Sequence, residues 1–183
     1  MSLKLYHEPR TPVTFRPAWR IADPVIERDA EAFWRRESLL AADMPLQERL
    51  SELCMAGYDA GTLIAVSTAR IQYVAFLGCK LALFRCAVAS DKRRSRLATV
   101  ITAHSRELLE QWSLAHPEEA VMGMLSVTQT DAFNTEPQRG FLRSTHLGFV
   151  GWTAAGHPIR AAWFEHGRVP VQMPEGAQPR PLR

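Results

Sequence analysis

Four cations, Lys92, Arg93, Arg94 and Arg96, fall within five residues. They stand where an apolar run ending at Val88 gives way to an amphipathic stretch that begins at Leu97. A helix starting there offers unpaired N–H groups and the positive end of its dipole. Cations beside such a start make a seat for a phosphate or diphosphate. Ser95 can cap the helix or add a further donor to that phosphate. The plain alternative is a solvated basic patch, and the elements on either side decide between the two.

Those elements follow from periodicity. Leu81–Val88 reads as a strand. Leu97, Val100, Ile101, His104, Leu108 and Trp112 recur at helical spacing and predict one apolar helix face. His116-Pro117 stops that helix, because proline lacks the donor and biases the residue before it away from helix. A second apolar run, Val121–Val127, follows directly. Strand, loop, helix and strand at these lengths predict a βαβ crossover and therefore a parallel pair.

Within that context Val88 and Arg93-Arg94-Ser95-Arg96-Leu97-Ala98 resemble the coenzyme A motif of the GNAT superfamily of N-acetyltransferases. That motif is written Q/R-x-x-G-x-G/A after a strand ending in valine. Arg93 takes the Gln/Arg place and Ala98 the final Gly/Ala place. Arg96 departs from the pattern at the first glycine, putting a Cβ where the family brings backbone close to the diphosphate. Leu147-Gly148-Phe149 resembles the family's closing signature, and Ser144 stands where many members carry a tyrosine. The resemblance runs over roughly residues 14–166, with its specific motifs confined to 87–98 and 141–149.

The resemblance implies an α/β (α+β) fold: a mixed, mostly antiparallel sheet with a central parallel βαβ unit and helices on both faces. It implies acetyl-CoA as cofactor, held by Arg93, Arg94, Ser95, Arg96, Leu97 and Ala98, with Asn134 standing in for a cofactor-binding asparagine. A backbone N–H near Ala87 or Val88 would polarise the thioester oxygen. Ser144 would hydrogen-bond the departing sulfur. The implied activity is transfer of an acetyl group to a primary amine, small-molecule or peptide, by direct attack. The runner-up is a GNAT-like protein that binds coenzyme A or a partner without turnover. It is motivated by Arg96, by Ser144 and by the absence of a carboxylate between Leu81 and Val88. Asp131, Glu136 and His146 lie near the expected cleft in chain order, and none is singled out as base.

Composition bounds the rest. A chain of 183 residues is long enough for one domain with a sizeable core. Its 46% hydrophobic and 22% charged residues are ordinary globular values, and a net charge of +3 favours anionic ligands without demanding nucleic acid. Aromatic stacking residues do not flank the basic loop, which argues against a single-strand binder. Cys54, Cys79 and Cys86 lie in apolar contexts with no C-x-x-C and read as reduced core residues of a cytoplasmic protein. The histidines show no metal-ligand spacing, and no apolar run is long enough to span a membrane. A homodimer is left open.

Residues 1–13 read as a leader, 14–167 as the domain and 168–183 as a proline-rich, disordered tail. Val13–Ala18 is expected to form the first strand. Asp23-Pro24 opens a helix that buries Ile26, Ala30, Phe33 and Trp34. A second helix is expected from about Asp43, with Leu46, Leu50, Leu53, Cys54 and Gly57 on one face. Thr62–Ser67, Arg70–Leu77 and Leu81–Val88 read as an antiparallel meander. A short helix over Pro137–Leu147, stopped by Gly148, is expected before two final strands, Phe149–Thr153 and Ile159–Glu165.

Overall fold

The computed structural model describes residues 13–40, 45–93, 96–128 and 139–168, together with Glu175. The leader before Val13, the sites Arg94, Ser95, Asn134, Asp131 and Glu136, and nearly all of the tail lie outside these residues.

The first helix, α1 (Pro24–Arg36), shows how local chemistry fixes an element. Asp23 caps it, accepting from the amides of Val25 and Ile26 at 3.0 and 3.2 Å, and Pro24 supplies the first helical position. Arg16, in strand β1 (Thr14–Pro17), donates to the same carboxylate at 2.7 Å. Ile26, Ala30, Phe33 and Trp34 are then fully buried, as their spacing predicts. Each large side chain among them gains about 1.5–3 kcal/mol from leaving water.

The expected second helix is half helix and half strand. Helix α2 covers only Leu46–Ser51, and Leu53–Asp59 is strand β2. Leu53, Cys54, Met55 and Ala56 are all buried because β2 is covered on both faces, so its run carries no period that separates strand from helix. Strand β3 (Thr62–Val74) is a single element where two short strands are expected. The β2–β3 hairpin turns at Ala60-Gly61, both at positive φ (46° and 80°), the geometry that matches strand twist.

Strand β4 (Cys79–Val88), helix α3 (Leu97–Ala115) and strand β5 (Val121–Val127) form the expected βαβ unit, with β4 and β5 parallel. The buried face of α3 is rotated by about one position from the expected one. Leu97, Ile101, Thr102, Ser105, Leu109 and Ser113 are buried, while Val100 and His104 are exposed. Small hydroxyl residues let the helix approach the sheet because each hydroxyl is satisfied. Thr102 donates to Ala98 O and Ser105 to Ile101 O, each at 2.7 Å, and Ser113 donates to Val121 O at 2.8 Å. Reading apolar residues alone discounts these positions.

No helix forms over residues 139–147. Strand β6 (Phe141–Leu142) turns through 143–146 into β7 (Leu147–Trp152), pairing Phe141 with Gly148 and Leu142 with Leu147. His146, at φ 59°, makes the left-handed step, so Gly148 is a strand residue and not a helix stop. Strand β8 (Pro158–Trp163) completes a sheet of order β1-β2-β3-β4-β5-β8-β7-β6, antiparallel except at β4–β5. The fold class read from the sequence therefore stands: a mixed, mostly antiparallel sheet with helices on both faces.

Candidate active site

Strand β4 is paired unequally along its two edges. On one edge it keeps ten register pairs with β3, from Val74↔Cys79 to Ala65↔Val88. On the other its pairing with β5 ends at Phe84↔Ser126. Strand β5 instead follows β8 through Val127↔Ile159, and the Thr128 amide donates to Pro158 O at 3.3 Å. That allegiance is built in at Gly123, where a Cβ would sit 2.4 Å from Ala162 O. Among the described residues, β4 therefore runs on from Phe84 to Val88 with its β5 edge unpaired, a split between the two parallel strands.

Alternation of hydrogen bonding tells which groups face the split. The Ala89 amide donates to Ile64 O at 2.8 Å, and in an antiparallel pair every second residue turns its N–H and C=O to the same neighbour. Ala87 and Arg85 thus point toward β3, whereas Cys86 and Val88 point toward the gap. By the same rule on β5, Val127 faces β4. Of the two amides expected there, that of Val88 faces this edge together with that of Cys86, and that of Ala87 faces β3.

Beside the split, α3 begins without a cap. Arg96 precedes it at φ 61° and ψ 7°, and its side chain makes no cap hydrogen bond to the first turn. The first helical bond there is from Val100 N to Arg96 O at 3.1 Å, so the amides of Leu97, Ala98 and Thr99 precede the ladder. Residue 96 is the place where the motif carries glycine, and the left-handed conformation gives glycine a second reason to be there. Arginine takes it at a cost of about 1–2 kcal/mol. Arg93 and Arg96 are exposed, Leu97 is buried and Ala98 is exposed.

The loop from Ala89 to Arg93 is fastened from below. The Ser90 amide donates to Glu37 Oε2 at 3.0 Å, and Lys92 pairs with Asp59 at 3.2 Å. Burial raises the Glu37 carboxyl, but the Ser90 amide and the Arg36 guanidinium outweigh it and hold the group below its ordinary 4.5. Lys92 is thus committed to Asp59, leaving Arg93 and Arg96 as the described cations of the cluster. Glu37 and Asp59 carry no motif, and only their partners across 53 and 33 residues of chain reveal them.

Cys86 lines the wall of the split beneath α3. The residue is exposed, against the expectation of a core cysteine, and its sulfur lies 3.9 Å from Thr102 Oγ1, whose own proton is committed to Ala98 O. The surrounding protein pushes the Cys86 thiol pKa up, so it is a thiol and not a thiolate at neutral pH. Cys54 is buried, with its pKa pushed by desolvation to about 12, and Cys79 is also buried.

Ser144 is not brought to this site. It is exposed in the 143–146 turn, at the end of the sheet where β4 and β5 start and not where they part. Strand spacing and rise put that turn roughly 20 Å from the Cys86 amide. His146 lies in the same turn. A cavity of about 420 Å³ also lies at the far end, lined by Cys79, Lys80, Ser113, Val121 and His166 among others. Ser113 and His166 Nε2 are 3.1 Å apart, but the serine proton is given to Val121 O, so the pair is no nucleophile and base.

No family model matches the chain, and no curated protein does. Solved structures do match in fold. A putative acetyltransferase, yncA, from Salmonella typhimurium, solved with acetyl-CoA, has a TM-score of 0.52 at 11% identity, over 86% of this chain and 97% of its own. An aminoglycoside 6'-N-acetyltransferase complexed with coenzyme A gives 0.51 at 15% identity, over 82% and 96%. A GNAT-family acetyltransferase from Streptococcus pneumoniae gives 0.51 at 11% identity, over 84% and 99%. The chain has the GNAT fold, over nearly the whole length of these proteins.

Proposed function

We propose that the protein is an acyl-CoA-dependent N-acyltransferase that moves an acetyl group from acetyl-CoA to a primary amine. The observation that carries this is the split beyond Phe84 and Ser126, with Cys86 and Val88 amides facing it and the uncapped start of α3 beside it. The amides of Leu97, Ala98 and Thr99, with Arg93 and Arg96, would hold the diphosphate. The pantetheine arm would run into the split from the α3 side. A fixed N–H of Cys86 or Val88 would then stabilise the negative charge that gathers on the thioester oxygen.

The chemistry needs little else. A neutral amine attacks the carbonyl carbon, the C–S bond breaks, and the amine proton passes to solvent. A thiol has a pKa of about 8.5, so thiolate leaves at modest cost and no acid at Ser144 is required. With no carboxylate on β4 from Leu81 to Val88, amines that are already largely neutral near pH 8 are the favoured acceptors. The non-catalytic reading shares the same cofactor site and differs only in turnover.

The test is thiol chemistry at Cys86 together with cofactor binding. Of the three cysteines, Cys86 alone is exposed. Iodoacetamide is expected to label it slowly, and acetyl-CoA to protect it. A cofactor at one hundred times its dissociation constant should stabilise the fold by about 2.7 kcal/mol. Release of coenzyme A thiol across an amine panel then separates enzyme from binder. Absence of both protection and thermal shift at millimolar acetyl-CoA overturns the proposal.

A further inference from the structure

The face of the split opposite α3 carries a cation of its own. Strand register gives the direction: Arg70 pairs with Leu83 and Thr68 with Arg85, so Arg70 and Arg85 leave the sheet on one face. Arg70 reaches Glu48 and Glu52 at the α2 end, at 3.7 and 3.6 Å, which identifies that face as the α2 side. Cys86, next along β4, faces α3 instead. Arg85 is exposed and forms no ion pair with any described residue.

Its neighbours do not neutralise it. Glu48 and Glu52 are both engaged by Arg70. Arg49, on α2, stacks its guanidinium over the Trp34 ring at 4.4 Å and donates to Leu39 O. Desolvation, and then the charge of Arg85, lowers the Arg49 pKa, so the two guanidinium groups feel each other. Among the described residues, three arginines thus meet two glutamates, and the surplus charge sits on Arg85, one residue before the first amide that faces the split.

We infer that Arg85 selects acceptors that carry a carboxylate close to the attacking amine: a peptide with an acidic N-terminal residue, whose α-amine has a pKa of about 8. The inference rests on the acyl-transfer reading for its geometry. Cofactor entering from the α3 side leaves the α2 side for the amine, and an amine placed at the thioester has its carboxylate within reach of Arg85. A guanidinium forms two parallel hydrogen bonds to a carboxylate, which fixes orientation as well as charge. Lysine-like chains and polyamines would meet the surplus cation with a second positive charge.

The test pairs acceptors that differ in one carboxylate. A tripeptide amide beginning with glutamate is compared with its glutamine counterpart, and one beginning with aspartate with its asparagine counterpart, so that the amine pKa changes little within a pair. Thiol release from acetyl-CoA is measured for each. Binding of the N-acetylated products to the full chain with coenzyme A present is measured by calorimetry, which needs no turnover. The wild-type protein is expected to favour the carboxylate member of at least one pair by about tenfold or more, as charge-assisted hydrogen bonds allow. Arg85→Gln should bring that ratio near one, and Arg85→Lys should restore part of it. Tm and the acetyl-CoA dissociation constant should stay unchanged in both variants. Equal treatment of both pairs by the wild-type protein overturns the inference, as does a preference that survives in Arg85→Gln. Acetyl-CoA binding without carboxylate preference removes this inference and leaves the transfer reading standing. Arg85-dependent carboxylate binding without acetyl-CoA binding does the reverse.

Discussion

Helices α1 and α3 begin in opposite ways. At α1 the protein satisfies its own helix start: Asp23 accepts from two first-turn amides, Pro24 removes a third donor, and Arg16 balances the carboxylate. At α3 a left-handed arginine precedes the first turn, and its side chain makes no cap hydrogen bond. A free helix start costs stability, since a good cap contributes about 0.5–2 kcal/mol. On the acyl-transfer proposal the contrast has a reason: α1 is finished for the sake of the fold, while α3 would be left open for an anion.

The sharpest way to break the contrast is to put an acid at the second start. Arg96→Asp replaces a cation with an anion beside the Leu97–Thr99 amides, while Asp tolerates the left-handed conformation better than most residues. Acetyl-CoA affinity by calorimetry is expected to fall more than tenfold. Tm should hold or rise slightly, because an anion at a helix start adds about 0.3–1 kcal/mol. An unchanged affinity would show that nothing binds there.

The reciprocal change acts on stability alone. Asp23→Ala should cost about 1–2 kcal/mol, read as a drop in Tm of several degrees, with acetyl-CoA affinity unchanged. A loss of affinity equal to that of Arg96→Asp would erase the division of labour between the two helices.

The smallest effect concerns the fastening of the loop between β4 and α3. Glu37 has its folded pKa held below 4.5, so its contribution is present above the unfolded value and is lost as pH falls through the folded one. The Tm gap between wild-type protein and Glu37→Gln should therefore be open at pH 7 and close below about pH 4. A gap independent of pH would assign the effect to packing and not to the charged hydrogen bond.

How far the chain could be read in advance depended on whether the governing contacts were local. The cap at Asp23, the stop at His116-Pro117 and the strand Val121–Val127 are decided by neighbours in sequence, and the structure has them where expected. Leu53–Gly57 was misread because a strand buried on both faces and a helix flank look alike in composition. The α3 face was misread because Thr102, Ser105 and Ser113 are polar by type but satisfied in place. At the site, the motif pointed to the loop and to Val88. It could not show that Arg96 is left-handed, that Glu37 and Asp59 fasten the loop, or that Ser144 lies at the far end of the sheet. Those facts belong to strand order and register, which no short window of sequence contains.

Strand β4 pairs with β3 along its whole length, while among the described residues its other edge is paired only as far as Phe84. A guest entering the gap would meet a wall that has already been immobilised by folding. Little ordering would remain to be done on arrival, so the amides of Cys86 and Val88 would act as fixed dipoles from the first encounter. Selectivity would then be set on the opposite bank, where Arg85 and the short helix α2 would face the second reactant.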